Sequence, residues 1–326
     1  MIATLRPAGW TLSALPRVDS KTGMGAAARA LDPGFRTVHP GAYDGQFYWG
    51  IAIDPLATGA LHHAFDKPSY RYGHPLYGWL GWLFSAGRAR AVPGALAVVG
   101  LASLFAAAAA AAILGLGRGR SGWEGLFVAL NPGLISSAVH DLAEPLAAAL
   151  MLGALLALVG RKRAVAWVCL ALLPLAKEPL IVISLAVVVW EFVQRRRRYA
   201  AVVATTVIPA LLWWTYARIH LGAWFTSGDT ALGKPLVGWY RAFLSQGTLG
   251  DVGFAIFIAL FVLAAFRAMR VRGPVELSYL GLAALAVCLA PNATVAFTTA
   301  MRNTAFLLVL VPFIIASPPL QIRSQL

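Results

Sequence analysis

From residue 92 onward the chain alternates long apolar runs with short polar breaks, and it keeps this rhythm almost to its end. The runs fall at 92–117, 123–139, 145–160, 164–176, 179–194, 200–217, 252–268, 277–292 and 303–316. A helix crosses the hydrocarbon core of a bilayer with about 20 apolar residues, or fewer where the membrane is thinned. Only helices and closed barrels satisfy their backbone groups in lipid. The pattern therefore predicts an all-α polytopic membrane protein of about nine or ten transmembrane helices. The stretch 161–194 is too long for one span, and "AKEP" at 176–179 predicts a break within it. The segment "HPLYGWLGWLFSAG", 74–87, is too short and aromatic to span; it is expected to lie at the interface, where Tyr and Trp are favoured. Three regions follow. Residues 1–40 have no clear span and are expected to be loosely ordered or amphipathic, 41–91 form a polar, aromatic loop with short amphipathic helices, and 92–326 form a transmembrane bundle with a long loop at 218–251.

Composition agrees: 59% of the 326 residues are apolar and only 12% charged, where soluble domains carry about a quarter charged. The formal charge of +14 suggests a polyanionic partner until the basic residues are located. They cluster between apolar runs, as "RGR" at 118–120, "RKR" at 161–163, "RRRR" at 195–198 and "RAMRVR" at 267–272. That is the positive-inside pattern, and it accounts for the charge with no nucleic acid. With those clusters in the cytoplasm, Asp44, Asp54, Asp66, Arg71, His74, His140, Asp141, Glu144, Lys177, Glu178, Arg218, His220, Asp229 and Arg302 all fall on the opposite face. Mid-span ionisable residues are nearly absent, so the chemistry gathers at one membrane surface and not along an ion path. Cys169 and Cys288 lie in separate apolar runs, which supports neither a disulfide framework nor a zinc site.

Two short motifs repeat one device. In "HDLAEPL", 140–146, Pro145 suits the first helical position and Glu144 its N-cap; in "AKEPL", 176–180, Glu178 would cap a helix starting at Pro179. Capping is the simple reading of both. The other is a polar pocket, since one helical turn could group His140 and Asp141 with Glu144. Asp44, in "GAYDGQFYWGIAIDP" at 41–55, poses the same choice among aromatics. Arg71, Lys177, Arg218 and Arg302 sit in separate loops of the outer face, against the positive-inside trend, which points to an anionic ligand. Each taken alone reads as a solvated or headgroup-contacting residue. Trp224, Phe225, Trp239, Tyr240 and Phe243 in the 218–251 loop read as interface anchors, or as a surface for a sugar ring or lipid chain. The alanine-rich run at 104–117 reads as close helix packing.

"YDGQFYWGIAIDP" followed by "YRYGHPLYGWLGWL" resembles the first outer loop of integral-membrane glycosyltransferases of the GT-C superfamily, in particular bacterial mannosyltransferase-like proteins. "NPGLISSAVHDLAEPLAAAL" and "LALLPLAKEPLIV" are similar to later patterns of that family, so the resemblance covers residues 41–220. It implies a GT-C-like fold in the bacterial cytoplasmic (inner) membrane, with the active side non-cytoplasmic. It implies transfer of a sugar from a polyprenyl-phosphate donor to an acceptor hydroxyl on a glycan or lipid. Asp44 matches the family's general base, and Arg71, Lys177, Arg218 and Arg302 are the phosphate candidates in falling order. Gln46, Tyr48, His74, His140, Asp141, Glu144 and Glu178 are the remaining substrate-binding candidates. No cofactor is required; Asp141, Glu144 and Glu178 could hold a divalent cation, Mg or Mn, if one is used. The family usually has a span just before the Asp-bearing loop, and residues 1–40 do not supply it, so anchoring of that loop is expected to be weak and to call for a protein partner. The alternative reading is a non-catalytic membrane subunit, or a lipid or glycan transporter, of an envelope assembly.

Overall fold

Two short helices, α1 (Gly45–Ile53) and α2 (Leu76–Phe84), pack on each other, and both reach the long helix α3 (Val92–Leu116). Glycine permits the close approach: a β-carbon on Gly78 would fall on Ile51, and one on Gly81 on Leu96. The structure, a computed structural model, describes residues 5–6, 9–227, 231–245, 248–270 and 273–315. Asp229, Arg272 and the last residue of the 303–316 run lie outside them. The chain continues through α4 (Glu124–Ala129) and α5 (Pro132–Val139) to α6 (Glu144–Val159), which packs against both α3 and α7 (Arg163–Ala176). Met151, Leu152 and Leu155 of α6 are fully enclosed, so this helix forms the centre of the layer. Next come α8 (Ile181–Val193), α9 (Ile208–Leu221), α10 (Thr248–Arg270), α11 (Pro274–Val287), α12 (Phe297–Asn303) and α13 (Ala305–Ile315). α13 is buried from Ala305 to Ile314 against α4, α10 and α11. Every regular element among the described residues is helical.

Among the described residues three helices are long and apolar enough to cross a membrane, Ala89–Leu116, Arg197–Leu221 and Val252–Arg270. The apolar helices α6, α7, α11 and α13 are shorter, at 16, 14, 14 and 11 residues. This is the architecture of a helical membrane protein. The 123–139 run is broken where one helix was expected. Asn131 stops it: its Oδ1 accepts from the N–H groups of Gly133 and Leu134 and its Nδ2 donates to the Ala305 carbonyl, while Pro132 takes the first helical position. The 303–316 run gives a helix only from Ala305, because the separate helix α12, which carries Arg302, ends at Asn303 and Thr304 separates the two.

Residues 9–40 are not loose. Leu15 and Val18 are fully enclosed, and the N–H groups of Val38 and Ser20 donate to the carbonyls of Val18 and Val38. This segment braces the start of α1, because Arg17 accepts from the Tyr43 N–H at 3.2 Å and Gln46 Oε1 accepts from the Asp19 N–H at 3.2 Å. A β-carbon on Gly45 would strike the His140 carbonyl and Pro16, which shows how tightly that start is held. A second brace comes from α9. The indoles of Trp213 and Trp214 donate to the carbonyls of Tyr72 and Gly73 at 2.6 and 2.8 Å, and the Tyr216 hydroxyl donates to the Leu56 carbonyl. The loop expected to be weakly anchored is therefore fixed from both sides. α2 buries Leu76 and Tyr77 and exposes Trp82, Leu83 and Phe84, an apolar edge suited to an interface.

Polar residues and basic clusters occupy opposite helix ends. α6 begins at Glu144 and ends before the 161–163 cluster, α7 returns to Lys177 and Glu178, and α8 runs away again to the 195–198 cluster. Two consecutive hairpins thus bring Glu144, Lys177 and Glu178 to one end and the arginine clusters, with Glu191 paired to Arg196, to the other.

Candidate active site

Asp44, Phe47, Tyr48 and Ile51 stand at i, i+3, i+4 and i+7, which is one face of a helical turn sequence, and all four line a cavity of about 280 Å³. The volume is close to the lower end for small-molecule sites. One wall is ionic, with Lys67, Arg71, His74, Glu144, Lys177, Glu178 and Arg302; the other is apolar, built by Leu282, Leu285 and Leu289 at the end of α11 and by Phe306 and Leu307 of α13. The cavity is amphipathic.

Asp44 is the hub of the ionic wall. Arg71 Nη1 donates to its Oδ1 and Arg302 Nη1 to its Oδ2, each at 3.1 Å, so a residue 258 positions further along the chain meets this carboxylate. Arg71 is itself oriented by Asp66, whose two oxygens accept from Nε and Nη2 at 3.0 and 2.9 Å, and its guanidinium lies 3.7 Å from the centre of the Phe47 ring. Burial works against the charge on Asp44, but Arg302 and Arg71 outweigh it and hold the carboxyl below the usual carboxylate range. Asp44 occupies the N-cap position of α1, yet its side chain caps nothing.

The other two acids repeat this departure. Glu144 is the first residue of α6 and not its cap; its Oε1 accepts from Lys177 Nζ at 2.7 Å and lies 3.7 Å from Arg302 Nε. Glu178 opens a single turn of 3₁₀ helix, and its Oε2 lies 2.8 Å from His74 Nδ1, with both side chains buried. Tyr48 stands between these groups, its ring centre 5.7 Å from that of His74. Its phenol is pushed well above the usual range by burial and by the nearby Glu144 and Glu178 carboxylates. Three carboxylates at helix starts thus serve cations and an imidazole across the cavity.

No family model, no curated protein and no solved structure matches this chain. What the site can do follows from its own geometry.

Of the residues expected in the site, Asp44, Tyr48, Arg71, His74, Glu144, Lys177, Glu178 and Arg302 line the cavity; Gln46, His140, Asp141 and Arg218 do not. Gln46, two residues on from Asp44, faces the N-terminal segment instead. His140 closes the end of α5, its Nδ1 2.7 Å from the Ser136 carbonyl and its ring tilted at 38° to that of Tyr43, centre to centre 4.7 Å. A left-handed turn at Asp141 (φ 51°) prevents the expected helical grouping with Glu144. Asp141 is fully enclosed with neither oxygen bonded, and burial pushes its carboxyl well above the usual range. Arg218, in the last turn of α9, bonds the Gly222 carbonyl and so closes its own helix end. The acids suggested for a divalent cation do not converge, and among the described residues no group of three acidic, His or Cys side chains is placed to hold a metal ion.

Lys67 and Tyr70, which sequence reasoning passed over, also line the cavity. Their signal was position: Tyr70 precedes Arg71 on the turn Pro68–Arg71, and Lys67 is the residue just before that turn. Asn292, just past the end of α11, lines it too. The 231–232 segment reaches the cavity through its docking on α11, where the Gly233 N–H donates to the Cys288 carbonyl and the Ala290 N–H to that of Ala231.

Asp54 plays a structural part. Its Oδ1 accepts from the N–H groups of Thr58 and Gly59 at 3.0 and 2.9 Å, and its Oδ2 lies 3.0 Å from His62 Nδ1. Burial raises the Asp54 carboxyl, but these hydrogen bonds outweigh it and leave the folded value lowered. The stability it supplies is complete above the unfolded carboxylate value and is lost as pH falls through the folded one. Asp54→Asn is expected to cost about 1–3 kcal/mol at neutral pH and to flatten the acid limb of a thermal-melt series.

Proposed function

We propose that this protein is an integral-membrane glycosyltransferase that moves a sugar from a polyprenyl-phosphate donor to an acceptor hydroxyl. The observation that carries this reading is the amphipathic cavity. Arg71, Arg302 and Lys177 converge on its ionic wall, and the α11 and α13 leucines and phenylalanine form the other. A phosphate bearing an apolar chain has the same two-sided character. Arginine forks suit phosphate oxygens, and the apolar wall suits the first prenyl units.

In this reading the four shorter apolar helices count as spans beside the three long ones, seven among the described residues, and α8 and the broken α4–α5 pair would bring the total to nine. The basic clusters lie in the cytoplasm under the positive-inside rule, so the cavity opens on the non-cytoplasmic face of a bacterial inner membrane. A lipid phosphate leaves readily at neutral pH, which makes a general acid unnecessary. The cations take up charge that develops on the departing phosphate. A base must accept the proton of the acceptor hydroxyl. Two groups on the ionic wall have the chemistry for it, Asp44, as the family resemblance implies, and the His74–Glu178 pair.

The test is purified full-length protein in liposomes, offered labelled polyprenyl-phosphate sugars and, in parallel, nucleotide sugars. Transfer from the lipid donors alone is expected. Protein that binds these donors and turns over none of them would make it the non-catalytic subunit or transporter.

A further inference from the structure

We infer that His74, held by Glu178, is the group that removes the acceptor proton, and that Asp44 instead positions Arg71 and Arg302. This rests on the glycosyltransferase reading, and it follows from how each side chain is already engaged. Both oxygens of Asp44 are taken by guanidinium groups at 3.1 Å. A carboxylate so paired is a weak base, and moving it would release both arginines from register. His74 is engaged at one nitrogen only. Its Nδ1 faces Glu178 Oε2 at 2.8 Å in a site where both side chains are buried. The contact lacks the alignment of a hydrogen bond, but a carboxylate 2.8 Å from Nδ1 favours the ring proton on that nitrogen and leaves Nε2 as the lone-pair nitrogen. The ring lines the cavity, so Nε2 is the nitrogen available to a substrate.

The surroundings hold that ring still. The rings of Tyr48 and Tyr70 lie 5.7 and 5.6 Å from it, and the Trp214 indole fastens the carbonyl of the preceding residue, Gly73. Besides Glu178, the ionisable groups on the same wall are Asp44, Glu144, Tyr48, Lys67, Tyr70, Arg71, Lys177 and Arg302. Among the acids, Asp44 is bound to Arg71 and Arg302 and Glu144 to Lys177, whereas Glu178 has His74 as its partner. The step balances simply. The acceptor oxygen bonds to the anomeric carbon, and the bond from that carbon to the phosphate oxygen breaks with its electron pair. The hydroxyl proton passes to Nε2, and Glu178 stabilises the imidazolium. Polyprenyl phosphate leaves on the arginine side.

The experiment compares His74→Asn, Glu178→Gln and Asp44→Asn in the liposome assay, with binding of sugar-free polyprenyl phosphate measured on the same preparations by native mass spectrometry. His74→Asn is expected to lower kcat by about 10²–10⁴-fold while still binding polyprenyl phosphate. Glu178→Gln should lose about 10–100-fold in kcat, again with binding kept. Asp44→Asn should raise KM for the donor and lower kcat by less than His74→Asn does, since the Asn side-chain oxygen can still accept from one guanidinium. If His74→Asn binds no polyprenyl phosphate, Glu178→Gln decides, since the imidazole is then still in place. A His74→Asn enzyme at wild-type kcat overturns the inference, as does an Asp44→Asn enzyme that binds donor and has lost turnover; in both, wild-type transfer leaves the glycosyltransferase reading standing. Wild-type protein that transfers nothing takes both down.

Discussion

Arg302→Gln is expected to lower sugar transfer by about 10²–10³-fold, the usual cost of removing one preorganised group that stabilises developing charge. The effect should fall on function more than on folding. Without Arg302, Asp44 keeps Arg71 and Glu144 keeps Lys177, so neither carboxylate is stranded. The cavity, however, loses a nearly buried guanidinium that ties α12 to α1 and faces the site of the leaving phosphate. Arg302→Lys should rescue little, because a point charge cannot reach Asp44 and Glu144 together as a fork does. Transfer rates and melting temperatures of the two variants, taken side by side, check this. A large drop in melting temperature with transfer preserved at low temperature would make Arg302 a structural tie and nothing more.

The sequence made the helical membrane class plain, because apolar runs of this length have one explanation. It also brought most of the cavity residues to one face, since the basic clusters at 161–163 and 195–198 fix which helix ends belong together. What it hid was the partner of each charge. Asp44, Glu144 and Glu178 all stand where a capping acid would stand, and a local reading of "EPL" stops at the cap. The structure gives them partners across the cavity instead, and those pairings depend on packing that no local pattern records. Asp141 and His140 show the reverse error. Sequence proximity to Glu144 suggested grouping, and a single left-handed residue separates them. The N-terminal brace was equally invisible, because residues 9–40 hold their fold through scattered contacts such as Asp19 to Gln46, without an apolar period. The break in the 123–139 run, by contrast, was written in Asn131-Pro132, a helix-start pair that a long apolar average conceals.

Glu144→Met alone is expected to destabilise the protein by about 3–5 kcal/mol, because it leaves Lys177 beside the core without its partner, and Lys177→Met by less, because Glu144 keeps Arg302 Nε at 3.7 Å. Glu144 is 2% exposed and Lys177 21%, so in Lys177→Met the compensation of a buried carboxylate falls to Arg302. The double variant is the informative one. Replacing both members of a buried pair with apolar side chains of similar length is often neutral or better for stability, so it should regain most of the loss. Arg302 would keep Asp44 as its partner in that variant. Activity should not return, since Lys177 lines the cavity and its charge faces the position of the phosphate. A melting temperature near wild type combined with weakened polyprenyl-phosphate binding would therefore separate what this pair does for the fold from what it does for the ligand. Recovery of both would assign the Glu144–Lys177 pair to packing alone and leave phosphate recognition to Arg71 and Arg302.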